Sequence, residues 1–292
     1  MMNIERANNV ATIVTEKTGL EATAQEVRKG DFIQLGVTVG EQGSMFRPNI
    51  YVDTMKELSD EEIADKVIEI YEENKGDIDW DVDDLLDYNK VKQGLRLCIR
   101  PQTENKDDVK IQYLDLELYA RYKLPINGDS HGSIVIRNDF LKKWDVTSET
   151  IIEDAKANTT DKYAGDDMQN ILMAMMFGGG FKEMKPINDF ISEITNDDWG
   201  IMPMYVIGTL DKMWGASILY NQDIFAEIAR QFEDDVVIIP SSIHELIVVP
   251  KSRMNGDVSE MIREVNANEV RPEERLGDHP YFYDRELGQI TF

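Results

Sequence analysis

Apolar positions recur along the chain with two different periods, and the switch between them marks its elements. From Asn3 to Thr18, Ile4, Ala7, Val10, Ala11 and Val14 share one side of a 3.6-residue period, and the run stops at Gly19; this predicts a helix. The stretch DFIQLGVTVGEQG then alternates Phe32, Gln34 and Gly36 against Ile33, Leu35 and Val37, and NIYVD follows a glycine-bearing turn, so a hairpin is expected. Ser59-Asp60-Glu61-Glu62 reads as a capping box, in which serine and Glu62 satisfy each other's backbone donors. The helix it opens carries Ile63, Val67, Ile70 and Tyr71 on one stripe.

Further along, GLRLCIR and YLDLELYARYKL read as two strands, or as one strand and a helix, because period alone does not separate them. GSIVIRN is a strand leading into the helix DFLKKW, and Thr147-Ser148-Glu149-Thr150 caps a second helix ending near Asn158. Residues 159–203 read as an excursion: a Met-rich helix, FGGGF and PINDFISEITNDDWG. Then come strand MYVIGT, strand GASILY, helix NQDIFAEIARQFED, strands VVIIP and ELIVVP, and helix VSEMIREVN. Hairpins instead of crossovers predict an α+β fold: an αββα-like N-terminal part over residues 1–125 and a ββαββα C-terminal part over 126–292, as two domains or as one continuous domain.

Composition adds a location and a charge. A 42% apolar fraction in 292 residues is ample for a packed core, and no run of 18 apolar residues offers a membrane span. The charged N-terminus lacks the apolar region of a signal peptide, and a lone cysteine, Cys98, leaves no intrachain disulfide; the expected location is the cytoplasm. The net charge of −25 disfavours nucleic acid and anionic lipid alike, so neither nucleic acid nor membrane is an expected direct partner. About half of the excess lies between Asp53 and Asp87, where 15 acidic residues face three lysines.

Candidate chemistry is sparse. In VVIIPSSIHELIVVP, Ser242 and His244 are the residue types of nucleophilic catalysis, yet Glu245 would point to the other face and no Gly-x-Ser-x-Gly elbow is present. The favoured reading is a turn between core strands with Ile238, Ile247 and Val249 buried; the alternative is a hydrolase using Ser242 and His244 with an acid. DIDWDVDD places acids at calcium-loop positions one, three and five, but Val82 and Tyr88 stand where glycine and glutamate are needed. His131 and His279 join no metal-ligand spacing, GGGFKEM lacks the Gly-Lys-Ser/Thr of a phosphate loop, and Met168, Met173, Met175 and Met176 read as core filling. No cofactor is expected.

The strings GSIVIRNDFLKKWDVTSETIIEDAKANT, MYVIGTLDKMWGASILYNQDIFAEIARQFEDDVVIIPSSIHELIVVP and MIREVNANEVRPEERLGDHPYFYDRE resemble a bacterial family catalogued as domain of unknown function 5688. That resemblance implies a genetic neighbourhood in mobile elements of Gram-positive gut bacteria, and supplies no activity or catalytic residue. The expectation is therefore an acidic interaction or regulatory protein whose carboxylates, Asp77, Asp79, Asp81, Asp83 and Asp84 foremost, meet a protein partner with a basic surface, as an inhibitor or nucleic-acid mimic would.

Overall fold

Asn3 and Gly19 fix the two ends of the first helix. The Asn3 side chain accepts from the Arg6 N–H at 2.8 Å, and Gly19 closes helix α1 (Ile4–Thr18) at φ 73°, a left-handed conformation that costs glycine little. The computed structural model describes residues 2–29, 32–42, 47–74, 82–124, 132–177, 183–194, 203–254, 256 and 258–292. The chain divides into two compact units, Met1–Leu86 with Leu124–Gly132, and Asp87–Lys123 with Ser133–Phe292.

In the first unit, strands β1 (Glu21–Lys29), β2 (Phe32–Gly40) and β3 (Asn49–Tyr51) form an antiparallel sheet in that order. The expected β2–β3 hairpin is present. Strand β1 was not foreseen, so this part is αβββα: EATAQEVRK offers only alanines and one valine to a core, and its pattern is too weak to announce a strand. Helix α2 (Asp60–Asn74) opens on the predicted capping box, with Glu62 accepting from the Ser59 N–H at 2.8 Å and Ser59 Oγ from the Glu62 N–H at 3.3 Å. Ala7, Val10, Ala11 and Val14 of α1 pack with Leu35, Val37, Val39 and Ile50 of the sheet and with Ile63, Ala64 and Val67 of α2.

The second unit begins with helix α3 (Tyr88–Lys92) and a four-stranded antiparallel sheet of β4 (Leu95–Pro101), β5 (Lys110–Tyr113), β6 (Leu116–Lys123) and β7 (Ser133–Val135). Strand β6 pairs with β4 along one edge, and with β5 and β7 in succession along the other. The open alternative thus resolves to strands throughout. Helices α4 (Asn138–Trp144) and α5 (Ser148–Thr160) follow, the latter capped by Thr147 as predicted. Thr159 of α5 accepts the Leu97 N–H at 2.9 Å, which occupies a donor on the free edge of β4.

A seven-stranded sheet completes the unit, antiparallel at every pairing, from β8 (Tyr163–Asp167), β9 (Lys185–Pro186), β10 (Tyr205–Thr209), β11 (Val236–Pro240), β12 (Leu246–Pro250), β13 (Tyr281–Asp284) and β14 (Gln289–Thr291), in the order β14-β13-β11-β12-β10-β8-β9. Helices α6 (Met168–Met176), α7 (Ile187–Glu193), α8 (Gln222–Phe232) and α9 (Val258–Asn268) flank it. Phe190 of α7 and Phe232 of α8 meet Tyr205 on one face, while Ile262 of α9 and Met168 of α6 pack on the other.

Three expectations are corrected here. Residues 159–203 are no excursion, since β8 and β9 belong to the sheet; YAGDD is small and acidic and gives no strand signal. GASILY is a 3-10 helix, Gly215–Tyr220, buried from Gly215 to Leu219, because a short apolar run buried on every side has no period to read. Met173, Met175 and Met176 are exposed on α6 instead of filling a core; only Met168 packs inward.

The β11–β12 pairing, Val237 opposite Val249 and Ile239 opposite Ile247, matches expectation, and Ile238 and Val249 are fully buried. Ile247, expected in the core, is half-buried. Val249→Asn should therefore cost about 3–4 kcal/mol and Ile247→Asn about half as much, from lost apolar burial plus an amide without partners. Urea unfolding midpoints measure both, and an equal shift for the two would place them at equal depth.

Candidate functional site

Residues 241–245 close the β11–β12 hairpin, and their hydrogen bonds are those of a turn. The Ser242 N–H donates to the Glu245 carbonyl at 3.2 Å, the His244 N–H to Ser242 Oγ at 3.0 Å, and the Ser241 hydroxyl to Glu245 Oε1 at 3.1 Å. Ser242 and His244 are brought together through backbone, not ring to hydroxyl. His244 Nδ1 accepts the Trp214 N–H at 3.1 Å, which assigns the ring proton to Nε2. Burial holds the His244 pKa below its ordinary value, against the nearby carboxylates of Glu274 and Glu245 and with the help of Arg121. A general base needs a free lone pair aimed at its nucleophile; here the Nδ1 lone pair holds a backbone amide.

That amide belongs to a strained turn. Lys212 and Trp214 both have φ 56°, in the left-handed region where a side chain costs about 1–2 kcal/mol. Gly215 follows, and a Cβ there would lie 2.5 Å from Gly208 Cα, from the His244 carbonyl oxygen and from the Thr209 nitrogen. Backbone meets backbone at this point. The turn lays Met213 and Trp214, with Ile243, over Cys98 and Tyr119 on one face of the four-stranded sheet.

That face is the feature sequence reasoning missed. Cross-strand register places Arg96, Cys98 and Arg100 of β4, Lys110 of β5, Glu117, Tyr119, Arg121 and Lys123 of β6, and Ser133 of β7 on one side. Leu95, Leu97, Ile99, Leu118 and Ala120 line the other side, which α5 covers. The alternation in LRLCIR and YARYK, with every second residue cationic or a lone cysteine or tyrosine, was the available signal.

Most of these cations are matched. Glu117 takes Arg100 and Lys110, each at 2.7 Å, and the Thr103 hydroxyl at 2.9 Å, while Arg100 also reaches Asp108 at 2.7 Å. Lys123 pairs with Asp211 at 2.7 Å. Arg96 and Arg121, directly opposite each other, have no carboxylate partner among the described residues. Arg121 donates Nε and Nη2 to Ser133 Oγ at 3.0 and 2.8 Å and lies 5.3 Å from the centre of the Trp214 ring. Arg96 spends Nη1 on the Gln93 and Leu95 carbonyls, and its buried Nε makes no hydrogen bond. Cys98 lies between these arginines, which draw its pKa down, but burial dominates and pushes it up to about 12; its thiol is inert at neutral pH.

Of the predicted acidic residues, Asp77, Asp79 and Asp81 lie outside the described residues, as does the calcium-like run up to Asp81. Asp83 and Asp84 sit on a 3-10 turn, Val82–Leu86. Most of the described acidic residues of the segment lie on α2, whose outward side carries exposed Glu61, Glu62, Asp65, Glu69, Glu72 and Glu73, with Lys66 its one cation. Ile63 and Val67 are fully buried beneath, and Lys17 of α1 holds Glu61 and Asp65 at 2.7 Å each. These ion pairs clamp α2 to α1.

His279, which joins no metal-ligand spacing in the sequence, belongs to a second cluster. Asp115 accepts the Tyr281 hydroxyl at 2.9 Å and faces His279 Nε2 at 2.9 Å, while His279 Nδ1 meets the Pro280 carbonyl at 3.1 Å. Burial lowers the His279 pKa, but the Pro280 carbonyl and the Asp115 carboxylate outweigh it and hold it above the ordinary value. Leu114, at φ 54°, is the strained residue that presents Asp115. Among the described residues no group of three or more His, Cys, Asp or Glu is arranged to hold a metal, and no helix is long and apolar enough to cross a membrane.

The two histidines should act on stability with opposite signs. His279 has a raised folded pKa, so its contribution is full below about pH 6.5 and fades as pH rises through that folded value. His244 has a lowered one, so its contribution is full above about pH 6.5 and fades as pH falls through it. The deficit of His279→Gln should therefore shrink between pH 6 and 9, and that of His244→Gln between pH 7.5 and 5, in urea unfolding of each variant beside the parent chain. Parallel pH profiles would remove both assignments. Gly215→Ala should cost about 3 kcal/mol, since backbone cannot yield to the added methyl; an unchanged unfolding midpoint would contradict the close approach.

No curated protein and no solved structure matches the chain. The family of unknown function DUF5688 matches residues 5–285, nearly its whole length, and the chain belongs to that family.

Proposed function

We propose that this chain is an acidic interaction protein of a mobile genetic element, acting in the cytoplasm as an inhibitor or regulator of a protein with a basic surface. The observation that carries this reading is α2: six exposed carboxylates on a helix whose opposite stripe is buried in the core. A prefolded ridge loses less conformational entropy on docking than an acidic tail. Its charges complement a groove built for the nucleic-acid backbone, and such complementarity speeds encounter.

The hydrolase alternative draws less support. Its base would be a half-buried histidine whose Nδ1 lone pair is taken by a backbone amide, beside a serine that accepts from backbone.

The test is capture of partners from the native host with three chains: the parent, a set with Glu61, Asp65, Glu69 and Glu72 changed to Gln or Asn together with Asp77→Asn, Asp79→Asn, Asp81→Asn and Asp83→Asn, and Ser242→Ala with His244→Ala. The acidic set should reduce recovery of a basic partner at least tenfold. Raising salt from about 0.1 M to 1 M, which shortens the screening length from about 10 Å to 3 Å, should do the same to the parent chain. Capture that ignores the acidic set and is lost with His244→Ala would favour the hydrolase.

A further inference from the structure

Two arginines on one face of a sheet have no carboxylate partner among the described residues, and their arrangement is costly unless something occupies it. Arg96 and Arg121 are opposed across the β4–β6 ladder, a position where like charges repel. Each has already used part of its guanidinium on neutral acceptors: Arg96 Nη1 on the Gln93 and Leu95 carbonyls, Arg121 Nε and Nη2 on the Ser133 hydroxyl. These bonds fix where the groups stand without cancelling their charge. The Nε–Nη2 edge of Arg96 is the edge that grips an oxyanion with two parallel N–H bonds, and its Nε is buried with no acceptor. A buried cationic donor without an acceptor is among the most costly of polar defects.

Nearby geometry restricts what could fill it. Arg121 lies over the Trp214 ring, which the left-handed turn at Lys212 and Trp214 holds in place. His244 reaches the same neighbourhood with its proton on Nε2, a neutral donor. Arg100, third of the arginines around Cys98, is excluded because Glu117 and Asp108 already hold it.

We propose that Arg96 and Arg121 together bind a phosphate group, either inorganic phosphate or the phosphate of a small monoester. Two uncompensated positive charges match a phosphate of about −1.5 to −2 at neutral pH, whereas a carboxylate would leave one unmatched. The Arg96 fork takes two oxygens, and the N–H groups of Arg121 spent neither on Ser133 nor on the Tyr119 hydroxyl take another. This site is independent of the acidic helix and stands whether or not that helix docks a partner.

The full chain is titrated at constant ionic strength with inorganic phosphate, methyl phosphate and acetate, following thermal unfolding and tryptophan fluorescence. Phosphate should raise the unfolding midpoint saturably and change the Trp214 signal; Trp214→Phe should remove the signal. Arg96→Gln and Arg121→Lys should each weaken phosphate at least tenfold, about the effect of losing one charge-assisted pair. Arg230→Gln, on an exposed arginine of α8 that pairs with Glu227, should change nothing. Tighter binding of methyl phosphate than of phosphate identifies a monoester as the ligand, and equal binding identifies the free ion. In phosphate-free buffer Arg96→Gln should unfold about 1–3 °C higher than the parent, and in saturating phosphate lower, because removing a like charge helps only the empty site. That inversion distinguishes a binding role from a structural one and also serves if Arg121→Lys does not fold. Acetate binding as well as phosphate, no saturable response, or an Arg96→Gln deficit equal in both buffers would overturn the proposal.

Discussion

The contact at Gly215 holds the second unit's parts in register. Backbone of the 3-10 helix touches backbone of β10 and of the β11–β12 loop, with Gly208 supplying the second missing side chain. The Ala216 N–H reaches the Ile243 carbonyl at 3.3 Å, so the loop is bonded to the helix as well as pressed against it. From this one approach follow the place of Trp214, the tautomer of His244 and the cover over Cys98 and Tyr119. The two left-handed residues before Gly215 are the cost of bringing the chain in at that angle, and the packing of Trp214 against the four-stranded sheet offsets it.

Charge is segregated as sharply as apolarity. Six outward carboxylates cluster on α2, while five of the chain's cations share one face of the four-stranded sheet. Within that face the burden is split. Arg100, Lys110, Glu117 and Asp108 form a network in which partners and hydrogen bonds match, the condition under which charge can be buried at all. Arg96 and Arg121 meet no such condition, although the same strands carry each of them only four residues from a member of that network. A sheet able to neutralise one arginine and leaving its neighbours bare is using position, not shortage of acid, in a chain with 56 acidic residues.

Legibility in the sequence followed the strength of local signals. The capping residues Ser59 and Thr147 act through bonds within three residues, and the buried strands β11 and β12 announce themselves as aliphatic runs; all were readable. Strands β1 and β8 were not, because an alanine-rich edge and a YAGDD run owe their state to neighbours far along the chain. GASILY was misread for a related reason: burial on all sides erases the period that separates helix from strand. The arginine pair needed the register of β4 against β6, which no short motif encodes, and Asp115 with His279 needed contact across 164 residues.

Solubility offers the plain alternative account of so much negative charge. The exposed Leu172, Met173, Met175, Met176 and Phe177 at the end of α6 form an apolar patch that a large net charge would help to keep from self-association. That need explains the total and not its distribution. A solubilising excess acts through the long-range field and works equally well spread over the surface, whereas here about half of it lies in an eighth of the chain. Concentration raises the repulsion among neighbouring carboxylates on α2, a cost a spread-out charge would avoid. The helix bears that cost on a stripe of Ile63 and Val67 buried to the last atom and through clamps from Lys17. A rigid ridge held against its own repulsion is the feature on which the proposed recognition role rests.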